Sequence, residues 1–175
     1  MYKVDIENKT LKELSKATFS SLGLRERFDI QEWIEKTPEI LGEQLLIIAK
    51  EYELPTRSRL DLLAIDKKAN LVVVELKRDD SGTAVEWQSI KYASYCSNFT
   101  YEEIKNIYAE YLGSNEDEAG LKIEDFIDEE IDNLNNQQRI ILASKEFHSD
   151  VISAVLWLTG FGIDIECVKL EPYYR

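Results

Sequence analysis

The chain has 175 residues, an ordinary apolar fraction and a formal net charge of −13. That length supports one domain with a real core and argues against collagen, coiled coil or wholesale disorder. The first residues alternate polar and apolar with no signal-like apolar stretch, and no apolar run is long enough to cross a bilayer, so a cytoplasmic protein with no membrane association is expected.

In chain order, residues 2–7 read as a short strand. Leu11, Leu14 and Phe19 mark a helix ending near Ser20-Ser21-Leu22-Gly23. A second helix is expected from Glu26 to Glu35, with Ile30, Trp33 and Ile34 at helical spacing, and a short third between Pro38 and Gly42. Three apolar runs follow as strands, Leu45 to Ala49, Leu60 to Ile65 and Leu71 to Lys77. Asp66-Lys67-Lys68-Ala69-Asn70 forms the turn between the last two. Helices are expected over Ala84–Ser97, Tyr101–Tyr111 and Ile123–Leu134, with a mobile loop at Ser114–Gly120. Arg139–Ser144 reads as strand, Val151–Leu158 as helix and Ile163–Leu170 as strand. The class is α/β, a mixed sheet with one antiparallel hairpin flanked by helices. It divides into an N-terminal strand and helices (1–44), a central block (45–98), acidic helices (99–136) and a C-terminal β-α-β segment (137–175).

The charge is unevenly placed. Tyr101 to Asn133 holds twelve acidic residues and two lysines, so the remainder is close to balanced. That stretch is most simply a solvated helical surface, though it could also serve an acidic interaction surface. Cys96 and Cys167 read as two reduced thiols, and His148, the only histidine, as a helix-start residue in Phe147-His148-Ser149-Asp150. Too few such side chains are present for a zinc site. Trp33, Trp87 and Trp157 lie in apolar stretches and read as core.

Chemistry concentrates at the hairpin. A turn centred on Lys68 places Asp61 opposite Glu75, with side chains roughly 4.5–5.5 Å apart at Cβ. Lys77 shares the face of Glu75, because strand side chains alternate. Two facing carboxylates repel unless a cation lies between them, and oxygen-only ligands suit Mg²⁺ or Mn²⁺. Such an ion suits phosphodiester hydrolysis, with Lys77 orienting water and stabilising developing charge. The plainer alternative is a surface cross-strand ion pair. Gln88 and Tyr92 lie four apart on the next helix, on one face, and both hydrogen-bond phosphate oxygens well. Arg57, Arg59, Arg78 and Lys91 are nearby cations for phosphates; the alternative for each is a solvated surface charge.

Asp61, then Glu75-x-Lys77, then Gln88-x-x-x-Tyr92 resembles the PD-(D/E)xK (restriction-endonuclease-like) nucleases, particularly the branch with a Q-x-x-x-Y helix that includes NucS-like and RecB-like nucleases. The stretches Arg25 to Gln31, Val151 to Leu158 and Asp164 to Leu170 extend that likeness over nearly the whole chain. Leu60 stands where the family name has proline. The chain ends at Tyr173-Tyr174-Arg175, where similar proteins commonly run further, which bears on target selection and assembly. The resemblance implies a restriction-endonuclease-like fold and a deoxyribonuclease of repair or defence using Mg²⁺ or Mn²⁺ and no small-molecule cofactor. It implies Asp61, Glu75 and the Leu76 carbonyl as metal ligands and Lys77 as the catalytic lysine. It adds a helix acid, for which Glu26 is chosen over Glu32 and Glu43. Gln88 and Tyr92 would support the site and the DNA backbone, and a homodimer would serve to cut both strands. The alternative is a non-catalytic module that binds DNA or a partner on the same fold. The acidic charge favours that reading, and the intact Asp61, Glu75 and Lys77 oppose it.

Overall fold

The computed structural model describes residues 1–174. Its centre is a five-stranded sheet in the order β4-β5-β6-β7-β8, formed by Leu45–Glu53, Arg59–Asp66, Leu71–Leu76, Gln138–Ser144 and Asp164–Lys169. β4, β5 and β6 run antiparallel, whereas β6, β7 and β8 are parallel. This is the mixed sheet of a restriction-endonuclease-like core.

Apolar, β-branched sequence makes β6 the middle of the sheet. All six of its residues are buried, with Leu71 and Val73 on one face and Val72 and Val74 on the other. Each such side chain contributes roughly 1.5–3 kcal/mol on full burial. The first face is covered by α2 (Val85–Cys96), α3 (Tyr101–Leu112) and α4 (Glu116–Phe126), through Tyr92, Cys96, Ile104, Tyr108 and Ile123. Helix α5 (Ser149–Gly160) closes the same side over β7 and β8, where Val151 and Val155 meet Ile140, Leu142 and Ile165. The second face is covered by a five-residue π-turn at Glu26–Ile30 that runs into α1 (Gln31–Lys36), and by the 3₁₀ turn Pro38–Leu41, which Gly42 ends at φ 100°.

The hairpin register is the expected one. Leu62 pairs with Val74 and Ile65 with Leu71. Asp66 builds the turn, its Oδ1 accepting from the amides of Lys68 and Asn70, both at 2.9 Å, while Ala69 takes φ 62°. A bulge at Ile48 shifts the register of β4 against β5. At the far end of the sheet from the β5 start, Arg139 is gripped by Glu43 (2.8 Å), Asp66 (3.0 Å), Asp164 (3.1 Å) and Glu166 (3.2 Å).

Four expectations are corrected. The segment around Leu11 and Leu14 is not helical: β1 (Tyr2–Asp5) pairs with β2 (Thr10–Glu13), and β3 (Ser15–Lys16) pairs with β9 (Tyr173–Tyr174). Asp5 accepts from the Asn8 amide and Lys9 takes φ 50°, closing a hairpin, and Leu11 is exposed, so no buried helical face exists there. Ser114–Gly120 is largely helix rather than loop. Asn115 caps α4 by accepting from the Glu118 amide, and Gly120 lies where a Cβ would sit 3.1 Å from the Tyr101 hydroxyl. The helix expected over Ile123–Leu134 is the end of α4 followed by a 3₁₀ turn at Ile131–Asn133. Finally, the tryptophans are not core: Trp33, Trp87 and Trp157 are 47%, 61% and 62% exposed, because smaller aliphatic neighbours such as Ile34, Val85 and Val155 take the inward positions.

Candidate active site

The site lies where β5 begins and β6 ends. Asp61 enters at the start of β5, one residue before the last ladder pair with β6. Its Oδ2 accepts from the Leu76 amide at 2.7 Å, which ties the carboxylate to the end of β6. Its own carbonyl accepts from Gln31 Nε2 at 2.8 Å, so the almost fully buried Gln31 fixes Asp61 from the α1 side. Glu75, 1% exposed, points from β6 toward α2. Its Oε1 accepts from Lys77 Nζ at 2.7 Å and Gln88 Nε2 at 2.8 Å. Lys77 Nζ also donates to the Leu76 carbonyl at 3.0 Å. Gln88 Nε2 reaches the Tyr92 hydroxyl as well, at 2.8 Å, joining two residues one helical turn apart.

Electrostatics follow from this crowding. Burial first, and the neighbouring Asp61 second, push the Glu75 carboxyl well above the carboxylate range. Asp61 is also raised, by burial, against the lowering effect of the Leu76 amide and Lys77. Glu26 adds to the repulsion at both carboxyls, which places it in the same field. For Lys77, burial disfavours the charge, but Glu75 and Asp61 outweigh it and hold the ammonium above its ordinary value.

Among the described residues, no three histidine, cysteine, aspartate or glutamate side chains form a group that could hold a metal ion. The residues nevertheless fit a hard divalent ion by donor chemistry. Glu75 Oε2 is buried without a hydrogen-bond partner beside a second carboxylate. A buried unpaired anionic oxygen is costly. Mg²⁺ needs only one or two carboxylates, since waters and phosphate oxygens complete its shell.

The other expected residues divide. Glu26 Oε2 accepts from the Arg78 amide at 2.6 Å and so borders the end of β6. Glu32 is instead bound to Lys50 at 2.7 Å, and Glu43 is held by Arg139 at the opposite end of the sheet. Tyr92 is 4% exposed and turned inward, so it and Gln88 position Glu75 rather than face solvent. Arg57 lies in the β4–β5 turn at φ 62°, where its amide donates to Leu54. Arg59 pairs with Glu53 at 3.1 Å, and Arg78 lies 3.4 Å from Asp79. Lys91 is exposed on the outer surface of α2.

Sequence reading gave no role to Gln31, Asp79 or Glu51. Asp79 accepts from the amides of Phe19 and Ser20 at 2.8 and 3.1 Å, pinning the N-terminal segment beside the end of β6. Burial would raise its carboxyl, but these bonds and Arg78 keep it low. Glu51 pairs with Arg27 at 2.9 Å and adds to the negative field at Asp61. The signals available were the Asp79-Asp80 doublet straight after β6 and the place of Gln31 at the end of the Arg25–Gln31 stretch.

A family model described as the endonuclease NucS C-terminal domain matches residues 26–119, from Glu26 through α2 into the acidic helices. Two solved structures are similar. An EndoMS–dsDNA2 complex is 18% identical over 90% of this chain and 47% of that one, with a TM-score of 0.44. A repair endonuclease from Pyrococcus abyssi is 17% identical over 80% of this chain and 45% of that one, with a TM-score of 0.41. The chain therefore spans about half the length of either. No curated protein matches.

Proposed function

Because the chain belongs to the endonuclease NucS C-terminal domain family, we propose that it is a Mg²⁺- or Mn²⁺-dependent deoxyribonuclease hydrolysing phosphodiester bonds at Asp61, Glu75 and Lys77. The observation that carries this reading is the orphaned, buried Glu75 Oε2 beside Asp61, with Lys77 Nζ 2.7 Å from the other oxygen. Asp61, Glu75 and the Leu76 carbonyl would hold the ion, and Glu26 is the helix acid nearest to them. When bound, the ion supplies Lewis-acid polarisation of phosphate and a more acidic water.

The chain's own residues do the rest. Gln88 and Tyr92 lock the Glu75 carboxylate by a shared hydrogen-bond relay, and Gln31 and the Leu76 amide lock Asp61. Lys77, anchored on Glu75 and the Leu76 carbonyl, orients a water and offsets negative charge as it develops. Arg57 in the β4–β5 turn and Lys91 on α2 are exposed and free to meet DNA phosphates. Pairing into a homodimer would let two such sites address both strands.

The test is cleavage of labelled single-stranded, duplex and branched DNA with Mg²⁺ or Mn²⁺. The reading expects cutting by the wild type and none by Asp61→Ala, Glu75→Ala or the wild type in EDTA. Cutting that survives these substitutions would refute it. Metal-independent binding of DNA with no cutting on any substrate would favour the non-catalytic module.

A further inference from the structure

The exposure of Trp87 was unexpected, and its surroundings give it a use. Trp87, Lys91 and Tyr95 recur at every fourth residue of α2, a spacing that aligns them on one strip of the helix surface about 6 Å apart along the axis. Trp87 is 61% and Tyr95 37% exposed, and Lys91 between them is exposed too. Among the described residues the Trp87 ring stacks on no aromatic group and sits under no cation.

Charge singles this strip out. The chain carries 34 acidic against 21 basic residues. Yet the one acid of α2, Glu86, is buried at 3% exposure, so the outward face of the helix carries Lys91 as its only charge. Gln88, which grips Glu75, follows Trp87 directly, and Tyr92 follows Lys91. Consecutive helix residues lie about 100° apart, so the strip sits roughly a quarter-turn around α2 from Gln88 and Tyr92, beside the face that grips Glu75. An aromatic, a cation and an aromatic in line are the elements of a platform for unpaired nucleotides. Bases stack on the rings and the ammonium meets the phosphate between them.

We propose that Trp87, Lys91 and Tyr95 form a binding track for single-stranded DNA leading to the active site, with Trp87 the base-stacking residue nearest it. Paired bases within a duplex are already stacked on each other and offer Trp87 no free face, so the track selects unpaired segments. This rests on the reading of the site as a deoxyribonuclease, and it is tested by binding, so the two fail separately.

The experiment is fluorescence anisotropy of a labelled oligo(dT) and of a blunt mixed-sequence duplex, with Ca²⁺ replacing Mg²⁺ to suppress cutting. The wild type should bind the single strand more tightly than the duplex. Trp87→Ala should weaken oligo(dT) binding roughly tenfold while changing duplex binding less than twofold, and Trp87→Phe should restore most of the loss. Tyr95→Ala should weaken oligo(dT) binding in the same direction, and Trp157→Ala, an exposed tryptophan on α5, should leave it unchanged. Circular dichroism melting of each variant identifies any that is misfolded. Equal loss on both probes, no loss with Trp87→Ala, or no binding of oligo(dT) by the wild type would overturn the track. Tight, Trp87-dependent binding by a protein that never cuts would leave the track standing and remove the nuclease reading.

Discussion

Replacing Glu75 by glutamine separates the cost of the site from its use. In metal-free protein the Glu75 carboxyl is pushed up to about 7 from an ordinary 4.5, by burial and by Asp61. The folded state thus holds this proton more tightly than the unfolded chain does. Its contribution to stability is complete below the ordinary carboxylate range and is lost as pH rises through about 7. At 1.36 kcal/mol per pH unit the loss is on the order of 3 kcal/mol, which for a chain of this size lowers Tm by about 10 °C between pH 4.5 and 8. Glu75→Gln keeps the acceptor used by Lys77 and Gln88 but does not ionise. Thermal unfolding in EDTA across that range should therefore show a shallower decline in the variant, which becomes the more stable of the two at alkaline pH. Adding Mn²⁺ should raise the wild-type Tm and leave the variant nearly unchanged, since an ion stabilises only the state that binds it. Parallel pH profiles in EDTA, or equal stabilisation of both proteins by Mn²⁺, would refute the reasoning.

Lys77→Met should lower the cleavage rate by roughly 10² or more, as loss of a preorganised charge at the reacting centre does. Mn²⁺ affinity measured by calorimetry should hold or improve, because the ammonium opposes the ion. Glu26→Gln should weaken Mn²⁺ binding roughly tenfold. Glu32→Gln should change it less than twofold, since Glu32 is held by Lys50 and Lys36 away from the site. Arg139→Met should destabilise the fold by about 1–3 kcal/mol in urea unfolding, chiefly because it strips the cation from the buried Asp66, while the more exposed Glu43, Asp164 and Glu166 regain water.

The hairpin was legible because its physics is local. A turn built by Asp66 and two alternating strands set a register that left one arrangement for Asp61, Glu75 and Lys77. Asn115 and Gly120 show the opposite case. They carry the composition of a loop, yet Asn115 caps a helix through the Glu118 amide three residues on, and Gly120 permits close packing against Tyr101, an effect that depends on what lies opposite. Trp87 misled for a related reason: hydrophobicity marks a residue as suited to burial, and only the packing of Val85, Ser89 and Tyr92 against the sheet decides which face of α2 turns in. Gln31 was inside a noticed motif, but its bond to the Asp61 carbonyl spans thirty positions and has no local signature.

The central claim is that Asp61 and Glu75 together hold a divalent ion. The most direct measurement is anomalous diffraction from crystals soaked in Mn²⁺. The account predicts a peak bounded by the Asp61 and Glu75 carboxylates and the Leu76 carbonyl, absent in Glu75→Gln crystals. A peak confined to other acidic residues, or no peak in wild-type crystals at saturating Mn²⁺, would contradict it.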